Sequence, residues 1–216
     1  MLRREPRRHR TTARLLAAAL CVLGAAGCAT YQGTARDAEP SRIAQDAGWI
    51  RVDDVPVVRQ RGAKDCGAAA LAAVLGYWGR EATPRAIERA TAHAAQHGIR
   101  AEALRRYATQ QGLQAFVFFG EFRDIQHELA RGRPIIVGTH KPINAKQALA
   151  HYEVVVGYHP ARRRVLTVDP AHGLRENSLD GFMTEWEATK RLTLVVFEEK
   201  TTPAAGAAAD RHTALQ

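Results

Sequence analysis

Four residues of the sequence have side chains that could together attack a carbonyl group: Cys66, His151, Asp169 and Gln60. A cysteine thiolate is a nucleophile, an imidazole can take and return a proton, and a carboxylate can hold the imidazole in the useful tautomer. A side-chain amide can donate a hydrogen bond to the oxyanion that forms during the attack. These residue types favour covalent catalysis by cysteine, provided that the fold brings them together.

Cys66 directly precedes a helical pattern. Apolar residues follow it at helical spacing: Leu71, Val74, Leu75 and Trp78. The spacing predicts a helix from Cys66 to about Gly79, with the sulfur in the first turn and Asp65 as the N-cap. The free N–H groups and the dipole at that end favour the thiolate form of cysteine. An isolated cysteine at a helix start is more often an inert core residue, so its role depends on its companions.

His151 and Asp169 lie at the ends of two apolar runs, residues 151–157 and 164–168. If the runs pair as an antiparallel hairpin, the residue that opens the first run lies near the residue that closes the second. The hairpin therefore predicts an imidazole and a carboxylate side by side at one edge of a sheet. Singly, they could be a satisfied core histidine and a turn residue.

Gln60 ends the short run of residues 55–60. Its side chain could donate an N–H to an oxyanion, together with the backbone N–H of Cys66. Taken alone it could equally be a surface amide. Asn144 is an alternative to Asp169 as the orienter of the imidazole, but it lies in a loop that nothing in the sequence fixes.

The order of the apolar patterns predicts the fold class. After the helix at Cys66, Thr83 and Pro84 predict the start of a second helix, and residues 100–111 a third. The predicted inward residues of the second helix are Ile87, Ala90 and Ala94. Short apolar runs follow at residues 115–119, 134–138, 151–157, 164–168 and 192–197, with one helix, containing Ile125 and Leu129, between the first two. Helices first and a mostly antiparallel sheet afterwards is an α+β layout.

Residues 1–27 are typical of a secretory signal peptide. A basic stretch precedes a thirteen-residue apolar run that is too short to span a hydrocarbon core of about 30 Å comfortably. The run ends in small residues before Cys28, as in bacterial lipoprotein signals, which predicts acylation of Cys28. Simple cleavage and an uncleaved anchor are the alternatives. Residues 28–49 would then form a lipidated N-terminus and flexible tether, residues 50–200 the folded domain, and residues 201–216 a disordered tail.

The charge does not favour nucleic acid as a partner. The formal net charge is +9, but more than half of it lies in residues 1–27. The remaining charge on the folded domain is small, and the arginines at positions 162–164 lie at the tip of the expected hairpin, where they would be solvated. The composition, 46% hydrophobic and 25% charged, is that of a globular protein.

Cysteine usage limits the chemistry further. Of the three cysteines, Cys21 leaves with the signal peptide and Cys28 would be acylated, so Cys66 is the one thiol expected in the mature fold. The mature domain could then form neither an internal disulfide nor a cysteine zinc site. His93 and His97 have a spacing that suits a metal on a helix, but no nearby carboxylate completes the pattern, so we expect neither a metal nor a cofactor.

The combined motifs resemble the bacteriocin-processing cysteine peptidase family, the double-glycine leader peptidases of the papain-like superfamily. The matching residues are Gln60, Asp65-Cys66-Gly67-Ala68-Ala69, the tract His-Tyr-Glu-Val-Val-Val-Gly at 151–157, and Val168-Asp169-Pro170. The similarity extends from about Val55 to Phe197. It implies a papain-like fold, with N-terminal helices packed on a mostly antiparallel sheet.

The resemblance also implies a role for each of the four residues: Cys66 as nucleophile, His151 as general base and then acid, Asp169 as orienter and Gln60 in the oxyanion hole. In the best-known members this domain is fused to an export ATPase and works in the cytoplasm. Here no glycine-rich phosphate loop occurs, and the expected export signal would place the site outside the inner membrane. Cleavage after a Gly-Gly leader is therefore not carried over.

The sequence as a whole predicts a membrane-anchored cysteine peptidase of the bacterial cell envelope, acting on a peptide or protein. The residue after Cys28 is Ala29 rather than aspartate, which favours the outer membrane, with the enzyme facing the periplasm. Its further partner would be a secretion or envelope-assembly system. An acyl transferase would use the same residues, and a non-catalytic peptide-binding or scaffold lipoprotein is the alternative of a different class.

Overall fold

The computed structural model describes residues 31, 33–62, 64–91 and 98–199. Within these residues the helices are α1 Pro40–Gln45, α2 Cys66–Tyr77, α3 Pro84–Thr91, α4 Ala101–Gln110, α5 Phe122–Ala130 and α6 Leu179–Glu187. The strands are β1 Arg36–Asp37, β2 Ile50–Arg51, β3 Gln114–Phe119, β4 Ile135–Asn144, β5 Gln147–His159, β6 Arg164–Asp169, β7 Gly173–Ser178 and β8 Leu192–Phe197. No helix in this part of the chain is both long and apolar enough to cross a membrane.

The strands form one antiparallel sheet in the order β1-β7-β6-β5-β4-β8-β3, and β2 pairs with the end of β5. Because successive side chains of a strand point to opposite faces, the sheet buries two separate sets of apolar residues. One set, including Val154 and Leu194, packs against residues of α2, α3 and α4. The other, including Val155 and Val195, packs against α5 and α6. The α+β, papain-like fold class predicted from the sequence is confirmed.

Helix α2 lies in the centre of the molecule. Every residue from 66 to 75 is buried, so the helix is apolar on all sides, as expected of a helix enclosed by other elements. Small residues allow its close approach to the sheet: a Cβ added at Gly67 would lie 3.1 Å from Cδ2 of Tyr152 on β5. This packing places the first turn of α2 beside the middle of β5.

The N-terminal part of the domain differs from the expectation. A flexible tether was predicted up to residue 49, but β1 pairs with β7, and Ile43 of α1 and Trp49 are buried in the core. The prediction is wrong over residues 33–49 because these short, aperiodic elements are ordered by partners distant in the chain. Strand β7 and helix α6 were also missed, since the polar strand sequence Gly-Leu-Arg-Glu-Asn-Ser has no apolar alternation.

Two smaller expectations also need correction. Ala90 was placed on the inward side of the second helix, but it is exposed, and α3 buries Ile87 and Thr91 instead. The strand that carries His151 begins four residues earlier than predicted, at Gln147. The imidazole therefore projects from within a long strand, where His151 pairs with Thr139 of β4.

Candidate active site

Cys66 is the first residue of α2, as the helical pattern predicted. Asp65 occupies the N-cap position, but its carboxylate makes no cap hydrogen bond to the helix. It accepts instead from the backbone N–H groups of Arg61 and Gly62, at 2.9 and 3.0 Å. The expected capping role is thus replaced by a different one: Asp65, which is buried, holds the loop that precedes Cys66.

His151 and Asp169 meet where the β5–β6 hairpin lies beside Cys66, at the start of α2. Strands β5 and β6 form the predicted hairpin, with Val154 opposite Val168. Extended by one residue, this register puts Asp169 opposite Glu153. His151, two residues before Glu153 on the same face, is therefore the diagonal neighbour of Asp169. Nε2 of His151 lies 2.9 Å from Oδ1 of Asp169, and both side chains are buried.

A turn fixes the carboxylate of Asp169 in this position. Its Oδ1 also accepts from the backbone N–H groups of Ala171 at 2.7 Å and His172 at 3.3 Å. An aspartate that accepts from residues two and three positions further on forms a local turn, here around Pro170. The carboxylate of Asp169 is therefore held by the backbone of the following turn as well as by the imidazole.

The electrostatics of the pair favour a charged imidazolium. Burial by itself would lower the pKa of His151, but hydrogen bonds to Asp169 and Cys66, and the charges of those residues, raise it to about 9. Burial opposes ionisation of Asp169, yet the hydrogen bond and charge of His151 lower the pKa of that carboxyl to about 2. Since Nε2 faces Asp169, the remaining ring nitrogen, Nδ1, is the one that faces Cys66.

Gln60 lies in the same region but not in the expected orientation. Its backbone N–H donates to the carbonyl of Pro170 at 3.0 Å, which places it beside the turn that follows Asp169. Its Nε2 donates to the carbonyl of Gly62 at 2.9 Å, and its Oε1 is buried with no hydrogen-bond partner among the described residues. The other Nε2 proton remains available to an oxyanion. The oxyanion role of Gln60 stays a prediction.

The sequence comparison identifies the family. The sequence model of the peptidase C39 family matches residues 54–200. This range is more than half of the chain and contains all four candidate site residues. The chain belongs to the peptidase C39 family. It is therefore a cysteine peptidase, and the resemblance noted from its motifs is confirmed. No curated protein sequence matches the chain significantly.

Solved structures support the fold of this C39 peptidase. The peptidase domain of Streptococcus ComA, a bifunctional ABC transporter of a quorum-sensing pathway, is 22% identical with a TM-score of 0.56, covering 68% of this chain and 100% of that one. A double-glycine-motif protease from an AMS/PCAT transporter, solved with its leader peptide, is 22% identical with a TM-score of 0.54, covering 69% and 94%. A C39-like peptidase from Bacillus anthracis is 14% identical with a TM-score of 0.59, covering 70% and 98%.

Asn144, the alternative orienter, is not near the imidazole in this C39 peptidase. It is exposed at the β4–β5 turn, where its Nδ2 donates to Oε1 of Gln147 at 2.8 Å and its Oδ1 accepts from the backbone of Lys146 at 2.9 Å. His93 and His97 lie outside the described residues. Over the part that is described, no group of three or more histidine, cysteine or acidic side chains could hold a metal ion.

A buried ionic cluster near the site was not predicted from the sequence. Nζ of Lys141 lies 2.7 Å from Oε1 of Glu153 and 2.7 Å from Oε2 of Glu185, and all three side chains are buried. Burial alone would lower the pKa of Lys141, but the two carboxylates raise it above its usual value. Its charge in turn helps to lower the pKa of Asp169.

The sequence contained one signal for this cluster. Glu153 interrupts the apolar part of the tract at 151–157, where a strand buried on both faces would carry only apolar residues. A buried acid implies a buried cation, because a charge is rarely buried without a partner. Nothing in the local sequence pointed to Lys141 or Glu185, which lie on other elements.

Proposed function

We propose that this C39 peptidase hydrolyses a peptide or protein substrate by nucleophilic attack of Cys66 in the bacterial cell envelope. The observation that carries the proposal is the continuous contact from Cys66 through His151 to Asp169. Nucleophile, base and orienter in this order form the constellation used by cysteine and serine hydrolases on unrelated folds. The AMS/PCAT protease that shares the fold was solved with a leader peptide, which supports a peptide as the substrate class.

In the first half of the reaction, the thiolate of Cys66 attacks the scissile carbonyl carbon and its π electrons move to the oxygen. The backbone N–H of Cys66 and Nε2 of Gln60 donate to that oxyanion. The imidazolium of His151 gives its Nδ1 proton to the leaving amine, and the C–N bond breaks. A thioester between Cys66 and the acyl part of the substrate remains.

In the second half, His151 removes a proton from a water molecule, and the resulting hydroxide attacks the thioester. The C–S bond breaks and the carboxylic acid product leaves, which restores the thiolate and imidazolium. Asp169 keeps its proton-free form throughout, because its role is to orient the ring and stabilise its charge. Its low pKa is consistent with that role.

The membrane anchor is the second part of the proposal. Cys28 would carry the lipid, and Tyr31, whose ring contacts that of His151, follows three residues later. Three residues span at most about 11 Å, so the lipid would hold the active site close to the membrane surface. We therefore propose a substrate that is presented at an envelope membrane, by a secretion or assembly system.

The proposed reaction is tested by incubating the membrane-bound full chain with periplasmic peptides and identifying new termini by mass spectrometry. The Cys66→Ala variant is the matched control, since alanine removes the sulfur and keeps the helix. New termini that appear with the wild type and not with Cys66→Ala support the proposal. The same termini with both proteins would contradict it.

A further inference from the structure

The three central side chains are enclosed, although a peptidase must admit a peptide. Cys66 is 7% exposed, His151 3% and Asp169 1%. An attacking sulfur must approach the scissile carbonyl carbon at about 3–3.5 Å, so the carbonyl has to enter this region. Some element of the structure therefore occupies space that the substrate needs.

Tyr31 is the side chain that lies over the imidazole. Its ring centroid is 5.7 Å from that of His151, and 4.6 Å from that of His172, which it meets edge to face at 74°. Burial raises the pKa of the Tyr31 phenol, and the negative charges of Asp169, Glu153 and Cys66 raise it further. The phenol ring is therefore seated in the site between the two histidines.

Residues 34–37 are firmly attached to β7. We call Tyr31 together with residues 33–37 the N-terminal strap. Oγ1 of Thr34 hydrogen-bonds to Oδ1 of Asn177 and lies 2.7 Å from Oγ of Ser178. Residues 36 and 37 pair with β7, and Arg175 donates to the carbonyl of Ala35 at 2.8 Å.

Gly33 shows how closely the strap follows the buried ionic cluster. A Cβ added at Gly33 would lie 2.3 Å from Oε1 of Glu185. That carboxylate cannot easily give way, because its Oε2 is held by Lys141 at 2.7 Å and by Asn177 at 3.1 Å. The strap thus packs against the ionic cluster and Asn177. This packing positions the Tyr31 ring against His151.

We propose that Tyr31 fills a subsite for an aromatic side chain of the substrate, formed by His151 and His172, and that the strap leaves this subsite when substrate binds. The inference rests on the proposed hydrolysis at Cys66. Two imidazole rings offer an incoming aromatic side chain the same edge and face contacts that Tyr31 makes. The strap is then an internal competitor of the substrate.

The chemistry of His151 assigns the subsite to one side of the scissile bond. The imidazolium must reach the nitrogen of the leaving amine, so side chains that lie against it belong to the residues that follow the cleaved bond. The aromatic residue is therefore expected in the first positions on the amine side of the cut. The acyl side faces the start of α2 and the Gln60 loop.

Thiol accessibility tests the inference without a known substrate. Full-length protein is treated with iodoacetamide, and the labelling rate of Cys66 is followed by mass spectrometry of the peptide that contains it. Tyr31→Ala is expected to label roughly five- to tenfold faster than wild type, the change expected from the loss of aromatic contacts. Tyr31→Phe, which keeps the ring, should label at the wild-type rate. An unchanged rate in Tyr31→Ala overturns the inference.

A second variant keeps the test decisive if Tyr31→Ala has no cooperative thermal transition. Thr34→Val keeps the ring but removes the strap's hydrogen bonds to Asn177 and Ser178. It should raise the labelling rate of Cys66, by less than Tyr31→Ala does. A rate equal to or below that of wild type would show that the strap is a permanent wall of the site, and would overturn the inference.

Addition of a free aromatic tests the subsite itself. N-acetyl-tyrosinamide should slow the labelling of Tyr31→Ala, because it can take the vacated place, and N-acetyl-alaninamide should not. Equal effects of the two compounds would contradict the aromatic subsite. Labelling measures access to the thiol and does not measure turnover. If the labelling results are as expected but no peptide is hydrolysed, the proposed hydrolysis is rejected and the inference about Tyr31 is not.

Discussion

The carboxylate of Asp169 reaches His151 diagonally across the β5–β6 hairpin, with 2.9 Å between Oδ1 and Nε2. Extending the Val154–Val168 register by one residue places Asp169 opposite Glu153, which turns instead to Lys141 at 2.7 Å. One face of two neighbouring strands thus carries two carboxylates with different partners, one an imidazole and the other an ammonium. The first pair is the base and orienter of the proposed reaction, and the charge of Lys141 in the second helps to lower the pKa of Asp169.

The charge state of His151 should be measurable by titration. Its Cε1 proton resonance, identified by comparison with His151→Gln, is expected to titrate near pH 9. In Asp169→Asn the pKa should fall, because the carboxylate's hydrogen bond and charge are lost while burial still disfavours the cation. A His151 pKa that is the same in both proteins would contradict the assigned contact.

The same pair should make the stability of the fold depend on pH. Because the pKa of His151 is raised from 6.5, its contribution is complete below about pH 6.5 and is lost as the pH rises through about 9. Because the pKa of Asp169 is lowered from 3.8, its contribution is present above that pH and is lost as the pH falls toward 2. The difference in unfolding free energy between wild type and Asp169→Asn should therefore be largest from about pH 4 to 6.5. Urea unfolding at several pH values checks this, and a difference independent of pH would contradict it.

Gln60 is expected to act on the transition state. Gln60→Ala should lower kcat by about 10²–10³ with little change in KM, as the loss of one oxyanion donor does elsewhere. The variant should melt within a few degrees of wild type and should still be alkylated at Cys66. Full kcat, or activity lost only through unfolding, would reject the oxyanion role, and the second donor would have to be another group.

Lys141 is expected to matter far more for stability than an exposed cation. Lys141→Met leaves the carboxylates of Glu153 and Glu185 buried together, which should cost about 3–5 kcal/mol of unfolding free energy. Arg42→Met, which removes the exposed arginine of the Arg42–Glu176 pair, is the matched control and should cost at most about 1 kcal/mol. Chemical denaturation compares the two. Equal costs would contradict the buried cluster.

Acylation of Cys28 predicts stable attachment to membranes. Two or more acyl chains hold a protein on a bilayer, whereas one chain binds only marginally. The wild type should therefore remain with the membrane fraction after washing in high salt, and Cys28→Ser should be released or remain unprocessed. Cys66→Ser is the control, since it removes a thiol without touching the anchor. Unchanged attachment and size in Cys28→Ser would reject the lipoprotein prediction.

The central contacts of the site could be predicted because each rests on a local pattern. The helix at Cys66 follows from apolar spacing within a single segment, and β5 and β6 are joined by a short turn, residues 160–163. Pairing across such a turn needs no knowledge of the rest of the chain. The neighbourhood of His151 and Asp169 was therefore accessible from the sequence.

The remaining features depend on contacts between distant segments. Strand β1 is ordered by β7, some 140 residues away, and Lys141 finds Glu185 on α6. The sequences of β1 and β7 are polar and aperiodic, so local propensity gives no signal for their pairing. The position of Tyr31 over His151 also depends on a distant contact, because the strap is anchored on β7.

The rate at which a peptide chloromethyl ketone labels Cys66 at pH 7 tests most directly that His151 activates this thiol. Wild type is compared with His151→Gln, which keeps a planar polar side chain but cannot form the imidazolium. We predict a single adduct on Cys66 that forms at least about a hundredfold faster in wild type, the lower end of what a positioned base contributes. Equal rates in the two proteins would contradict the account.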